Sequence, residues 1–353
     1  MILVCNAGSS SLKVAIFDAD LQEVAGGSVT EIGGPGELRC GPDRHAVSAP
    51  DHATALDLLL DALQGDGIAL RDLTVAGHRV VHGGERLTAP ARLTPDTIAA
   101  IEACIPLAPL HNPANLAGIT ALRVRLPKLP QTASFDTAFH ATNPAVASRY
   151  AIPQHWHDAG IRRYGFHGLS YAGLCAHFGA DLPPRLLALH LGNGASLCAI
   201  QDGKSVAASM GYSPVSGLTM GTRSGEIDAA AVLRIAAEIG VPDTDRLLNK
   251  ASGLLALGGT SNMKTLLDSD DPAAAFAVDH FCYWAARHAG SAIVAMGGVD
   301  AIAFTGGIGE NAAAIRDRIT AHLAFLGDLP VHVVPADEER QIARDALSLI
   351  GAE

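Results

Sequence analysis

Several short segments of this chain hold residue types that handle anions. Asn6-Ala7-Gly8-Ser9-Ser10-Ser11-Leu12-Lys13 joins small residues, hydroxyls and a cation. Small residues let backbone N–H groups approach a phosphate closely, the hydroxyls add donors and Lys13 adds charge. Asn-x-Gly-Ser also suits a plain hairpin turn, but this run is longer than a tight hairpin needs. His190-Leu191-Gly192-Asn193-Gly194-Ala195-Ser196 is a second such segment, and it too would serve as a simple turn. In Thr305-Gly306-Gly307-Ile308-Gly309-Glu310-Asn311, Gly307-x-Gly309-x-x-Ala312 matches the Ala-ended dinucleotide fingerprint. It falls late in the chain with no ribose acid after it. That leaves phosphate or nucleotide binding in general and excludes a nicotinamide cofactor.

Four further segments carry charged or titratable groups. Met220-Gly221-Thr222-Arg223-Ser224-Gly225-Glu226-Ile227-Asp228 sets an arginine between glycines, which fits an anion clamp better than a surface arginine. Gly77-His78-Arg79-Val80-Val81-His82-Gly83-Gly84-Glu85 spaces two histidines as a helical zinc pair would. The stretch reads as a strand and no HExxH occurs, so Arg79 is the better functional candidate. Phe135-Asp136-Thr137-Ala138-Phe139-His140 puts a carboxylate at a strand terminus, and Tyr164-Gly165-Phe166-His167-Gly168 sets a histidine between glycines. Gly203-Lys204-Ser205 ends like a Walker A loop, yet Cys198 stands where that loop needs glycine, and no G-x-S-x-G elbow surrounds Ser170 or Ser213.

These segments need strands and helices to hold them, and the alternation of short β-branched runs with helical patterns predicts an α/β fold. Strands are predicted at 2–5, 13–18, 74–81, 131–135, 186–191, 196–201, 301–305 and 331–334. Helices are predicted at 53–63, 95–104, 113–126, 170–178, 229–239, 273–296, 312–325 and 338–349. Thr94-Pro95 and Asn112-Pro113 place proline at helix starts. The chain also resembles itself: an offset of 185 pairs Ser11-Leu12 with Ser196-Leu197, and one of 184 pairs Ala15-Ile16 with Ala199-Ile200 and Asp18 with Asp202. Each copy reads as strand, small-residue turn, strand. Matches this short also arise by chance; if the repeat is real, two lobes divide near residues 140–150.

Composition sets the bounds. A length of 353 residues with 48% apolar and 17% charged residues predicts a large folded protein of two domains. The net charge of −11 argues against a non-specific nucleic-acid or anionic-membrane binder. No apolar run reaches the roughly 18 residues of a membrane span, and the start lacks the cationic region of a signal peptide. Six scattered cysteines without a CxxC pair fit reduced thiols, so a cytoplasmic location is expected.

In order along the chain, NAGSSSLK, GHRVVHGGE, LAPLHNP, FDTAFH, YGFHG, HLGNGAS, MGTRSG, FTGGIGEN and ADEERQIAR resemble the acetate kinase family from Met1 to about residue 345. The resemblance implies two duplicated ribonuclease H-like lobes of the actin-like ATPase fold, with the active site in a cleft between them. The lobes would be 1–145, with a returning helix at 339–353, and 146–338, the nucleotide-binding lobe. The implied reaction is ATP + acetate ⇌ ADP + acetyl phosphate with Mg²⁺ or Mn²⁺, in a homodimer.

Residue by residue, the resemblance implies that Arg79 binds the substrate carboxylate. It gives Val81, Leu110, Phe166 and Pro214 to the methyl pocket. His167 and Arg223 would stabilise the transferring phosphoryl group, with His111 in support. Asn6 and Glu338 match metal positions, and Lys13 an ATP-contacting lysine. The nucleotide would meet His190, Leu191, Gly192, Asn193 and Gly194, then Gly307, Ile308, Gly309, Glu310 and Asn311. Met263, Lys264 and Thr265 occupy the adenosine segment, where the family usually has Asp-Phe-Arg after Ser-Asn. Asp136 matches an essential aspartate often described as a base. A carboxylic substrate of pKa about 4–5 is already ionised at neutral pH, so Asp136 is expected to orient an arginine or the metal shell instead. A propionate or other short-chain acyl kinase would use the same residues. An actin-like ATP-binding module without catalysis would not need Arg79, His167 and Arg223 together.

Overall fold

A computed structural model describes residues 1–351. Residues Met1–Phe139, joined by the segment that starts at Asp337, form one compact unit, and His140–Ala336 forms a second. The division falls a few residues before the expected 145/146 boundary, and the returning segment starts at Asp337.

The first unit is built on strands β1 (Ile2–Gly8), β2 (Ser11–Phe17), β3 (Glu23–Thr30), β4 (Pro35–Cys40), β5 (Asp43–Ser48), β6 (Val75–Val80), β7 (Ala91–Arg92) and β8 (Gln131–Phe135). They form one sheet in the order β5-β4-β3-β2-β1-β6-β8-β7. β1 and β2 are an antiparallel hairpin in which Gly8 faces Ser11, so only Ser9 and Ser10 make the turn. β1 runs parallel to β6, and β6 parallel to β8.

The second unit holds β9 (Arg185–Leu191), β10 (Ala195–Gln201), β11 (Lys204–Ala208), β12 (Ala301–Thr305) and β13 (Val331–Val333), ordered β11-β10-β9-β12-β13. β9 and β10 again form a hairpin, and β12 runs parallel to both β9 and β13. The run β3-β2-β1-β6-β8 has the same connectivity and strand directions. β2 and β10, which carry the internal sequence match, hold equivalent places. The repeat is therefore structural.

In the first unit, helix His52–Gly65 buries Leu56, Leu59, Leu60 and Leu63 against the sheet. Each such side chain is worth about 1.5–3 kcal/mol of burial. The C-terminal helix Glu338–Ile350 buries Ile342, Ala343 and Ala346, and packs on β1, β6 and β8. Gly77 permits that approach: a Cβ there would stand 2.7 Å from Ile342 Cγ2. Asp337 caps the helix by accepting from Arg340 N, which fixes Glu338 and Glu339 in its first turn.

Some predicted elements differ. Strands β3, β4, β5, β7 and β11 lie outside the predicted set: β3 is rich in small residues, β5 is mostly exposed, β7 has two residues, β4 opens on Pro35-Gly36, and β11 (Lys204–Ala208) has no run of large apolar side chains. The helix predicted at 312–325 runs over Ala313–His322 and ends in a 3-10 turn at Ala324–Leu326, while a short helix that was not expected, Gly306–Asn311, precedes it; Ala312, with φ of −107° and ψ of 82°, separates the two.

Candidate active site

In the first unit the site residues gather at the C-terminal ends of the parallel strands β6 and β8. The Arg79 guanidinium grips Asp136 with two parallel bonds, Nε donating to Oδ1 at 3.0 Å and Nη2 to Oδ2 at 2.7 Å. Its Nη1 lies 3.8 Å from Glu338 Oε2. Asp136 is 2% exposed. Burial is the largest influence on its carboxyl and raises the pKa, while Arg79 pulls the other way by charge and by hydrogen bonding. Burial also works against the arginine charge, but Asp136 and then Glu338 outweigh it, and Arg79 is held above its ordinary pKa. A guanidinium is always charged, so Arg79 keeps its positive charge at neutral pH. With its fork turned to Asp136, Arg79 is held rigidly and its remaining N–H groups are the ones a second anion would meet.

Two asparagines that the sequence reading did not single out brace this corner. Asn115 Oδ1 accepts from Val81 N at 3.0 Å, and its Nδ2 donates to Ala7 O at 2.7 Å. Asn112 accepts from His82 N and donates to His82 O. Both are buried on helix Asn112–Arg125, with His111 at its N-cap position. The only sequence signal is their i,i+3 spacing on either side of Pro113.

Other predicted residues of this unit have local partners. Lys13 pairs with Glu339 at 2.9 Å, and Asn6 is opposite Lys13 in the β1–β2 register. Val81 is buried, while Leu110 is 45% exposed. His78 is not a metal ligand. It lies on β6, is 2% exposed and bonds to Gln131 Oε1 at 2.9 Å, while burial pushes its pKa down to about 4.

The second unit holds the glycine corners. The β9–β10 turn runs from Leu191 to Ala195, with Gly192 N donating to Gly194 O. The arginine loop docks on this turn: Gly221 N donates to Asn193 O at 2.9 Å, and a Cβ at Gly221 would overlap the Asn193 side chain. Arg223 Nη1 donates to Pro214 O at 3.3 Å. A Cβ placed on Gly194 would lie 3.3 Å from His167 Nε2 and 3.4 Å from Arg223 Nη1, so imidazole and guanidinium converge on the same glycine. His167 caps helix Gly168–Phe178 in the left-handed conformation, φ 57°, and its ring stacks on His190 with centroids 4.2 Å apart. Phe166 is buried, and its carbonyl accepts from His140 Nε2 at 2.9 Å.

After β12 the chain turns at once into helix Gly306–Asn311, and the side chains there serve the corner itself. Glu310 Oε1 accepts from Ala336 N, and Asn311 Nδ2 donates to Gly307 O. In the adenosine segment, helix Met263–Leu267 is capped by Asn262. Met263 is only 5% exposed, so it is a core residue, while Lys264 is exposed. No group of three His, Cys, Asp or Glu able to hold a metal occurs among the described residues. The oxygen donors of Asn6 and Glu338 match a hard cation that keeps most of its waters and takes further oxygens from phosphates.

The model of the acetokinase family matches residues 1–346. The chain is 42% identical to the acetate kinase of Micrococcus luteus, covering 98% of both proteins. It matches a crystal structure of Porphyromonas gingivalis acetate kinase with TM-score 0.92 and 35% identity over 99% of each chain. It matches a propionate kinase from Francisella tularensis with TM-score 0.93 and 35% identity, over 98% of this chain and 99% of that one.

Proposed function

Because the chain belongs to the acetokinase family, we propose that it catalyses ATP + acetate ⇌ ADP + acetyl phosphate. A carboxylate oxygen attacks the γ-phosphorus in line. The new C–O–P bond forms as the bond to the β-phosphate oxygen breaks, and ADP departs with that electron pair. The acid is already ionised at neutral pH, so no proton need be removed. Positioning and charge neutralisation carry the catalysis. Arg79, held by Asp136, binds the carboxylate. His167 and Arg223 donate to the oxygens of the transferring phosphoryl group, with His111 assisting. Val81, Leu110, Phe166 and Pro214 receive the methyl group.

The turn His190–Gly194 and the corner Gly307–Asn311 hold the nucleotide, with Lys13, Met263, Lys264 and Thr265 as further contacts. Mg²⁺ or Mn²⁺ would be held by Asn6 and Glu338. When bound, it screens phosphate charge. The convergence of His167 Nε2 and Arg223 Nη1 on Gly194 carries the phosphoryl-transfer reading.

Hydroxylamine trapping tests the reaction, with acetate, propionate and butyrate each offered against ATP, GTP and pyrophosphate. Acyl hydroxamate from acetate and ATP is expected; none from any pair would overturn the reading. The Francisella propionate kinase matches as well as the Porphyromonas acetate kinase, which favours propionate as a second substrate. One methylene in an apolar pocket is worth about 1–3 kcal/mol, so the two acids should differ by no more than roughly 200-fold.

The chain acts in the cytoplasm as a homodimer. All six cysteines are free thiols, which supports a reducing compartment, and no helix among the described residues is long and apolar enough to cross a membrane. Leu233 and Val241 stand 71% and 73% exposed on neighbouring helices, which supports a partner surface. Light scattering tests the dimer; a monomer at micromolar concentration would refute it.

A further inference from the structure

The stacked imidazoles of His167 and His190 are both held from behind. Ser196 Oγ lies 2.9 Å from His167 Nδ1, and Tyr171 Oη lies 2.6 Å from the same Ser196 oxygen. Ser170 Oγ lies 2.8 Å from His190 Nδ1. Tyr171, Ser196 and Ser170 are 0%, 1% and 4% exposed. The N-cap and first turn of helix Gly168–Phe178 supply His167, Ser170 and Tyr171, while β9 supplies His190 and β10 Ser196.

Elementary acidity gives the chain of hydrogen bonds its direction. A phenol is a stronger donor than an alcohol, and an imidazole nitrogen is a stronger acceptor than a phenol oxygen. Tyr171 therefore donates to Ser196 Oγ, and Ser196 donates its single proton to His167 Nδ1. A neutral imidazole that accepts at Nδ1 carries its proton on Nε2. Nε2 is the atom that lies beside the Gly194 position, with Arg223 next to it.

We propose that Tyr171 and Ser196 are positioning residues that fix the His167 ring and its tautomer, so that Nε2–H is a ready donor to a phosphoryl oxygen. This rests on the kinase reading for its purpose, although not for its geometry. His167 then needs no net charge to donate, and Arg223 alone supplies the permanent positive charge on that side. The left-handed backbone of His167 fits the same role, because a strained backbone is retained where its surroundings fix it.

The test joins kinetics to a tautomer measurement. Ser196→Ala should lower kcat about 10- to 100-fold, the range for hydrogen-bond partners that orient functional histidines, with acetate KM within about twofold. Tyr171→Phe removes one oxygen and should lower kcat roughly 2- to 10-fold. In ¹⁵N-histidine spectra of the whole chain, recorded where imidazoles are neutral, His167 is identified by its loss in His167→Gln. The unaltered protein should show the Nε2–H form, and both variants should move its two nitrogen signals toward each other. If Ser196→Ala does not fold, Tyr171→Phe carries both readouts. An Nδ1–H form in the unaltered protein overturns the proposal. So does a loss of kcat with unmoved His167 signals, or unchanged kcat in both variants. The spectra need no turnover, so a protein that forms no acyl phosphate refutes the kinase reading separately.

Discussion

Replacing Asp136 with asparagine separates an orienting carboxylate from a catalytic base. The side chain keeps its size, so buried Asp136→Asn removes charge and little volume. Arg79 now donates to both carboxylate oxygens, at 3.0 and 2.7 Å. In the variant one of those places becomes an NH₂ group facing an N–H, and one charge-assisted hydrogen bond is lost outright. Such a bond is worth about 1.5–3 kcal/mol, or about a 10- to 150-fold loss in kcat/KM for acetate. The loss should appear in KM as well as kcat, because Arg79 also binds the ground-state carboxylate. Hydroxamate formation is followed from pH 6 to 9 over a range of acetate and Mg²⁺ concentrations, with thermal melts as the check on folding. The orienting role predicts a loss that persists at high pH. Full rescue by raising the pH, with metal dependence unchanged, would refute it and restore the role of base.

Other expectations follow from neighbouring residues. Arg79→Ala should raise acetate KM and lower kcat, whereas Arg223→Ala should mainly lower kcat; initial-rate kinetics showing the reverse split would contradict the assignment of ground-state and transition-state roles. Asn115→Ala leaves Val81 N and Ala7 O without their present partner and should cost about 1–3 kcal/mol in urea unfolding, against no change if those bonds are idle. Burial also lowers the pKa of His78 and His140 to about 4, from an ordinary value near 6.5. The unfolded chain binds those protons first, so their contribution to stability is complete above about pH 6.5 and is lost as pH falls toward 4. The melting temperature should drop between pH 7 and 5, and His78→Gln should flatten part of that slope; a melting temperature that rises on acidification would refute the assignment.

The sequence shows the central strands of each sheet because they are short, nearly continuous apolar runs that are buried, as in Leu186–Leu191 and Ala301–Thr305. It hides β3 and β5, where Glu23–Thr30 is rich in small residues and Asp43–Ser48 is mostly exposed, since neither shows the alternation of a half-buried strand. Glycine corners are legible because close approach of backbone demands glycine whatever the surroundings. Side-chain pairings are not. Arg79 meets Asp136 across 57 residues, and Tyr171 meets Ser196 across 25, so only the folded register of β6 with β8, and of helix Gly168–Phe178 with β10, brings them together.

The most direct test of direct carboxylate attack on phosphorus uses acetate labelled with ¹⁸O in both carboxyl positions. With ATP and this chain, the ³¹P spectrum of the acetyl phosphate formed should show the small shift caused by one ¹⁸O bonded to phosphorus. Acetyl phosphate with no ¹⁸O on phosphorus, or no acetyl phosphate at all, would contradict it.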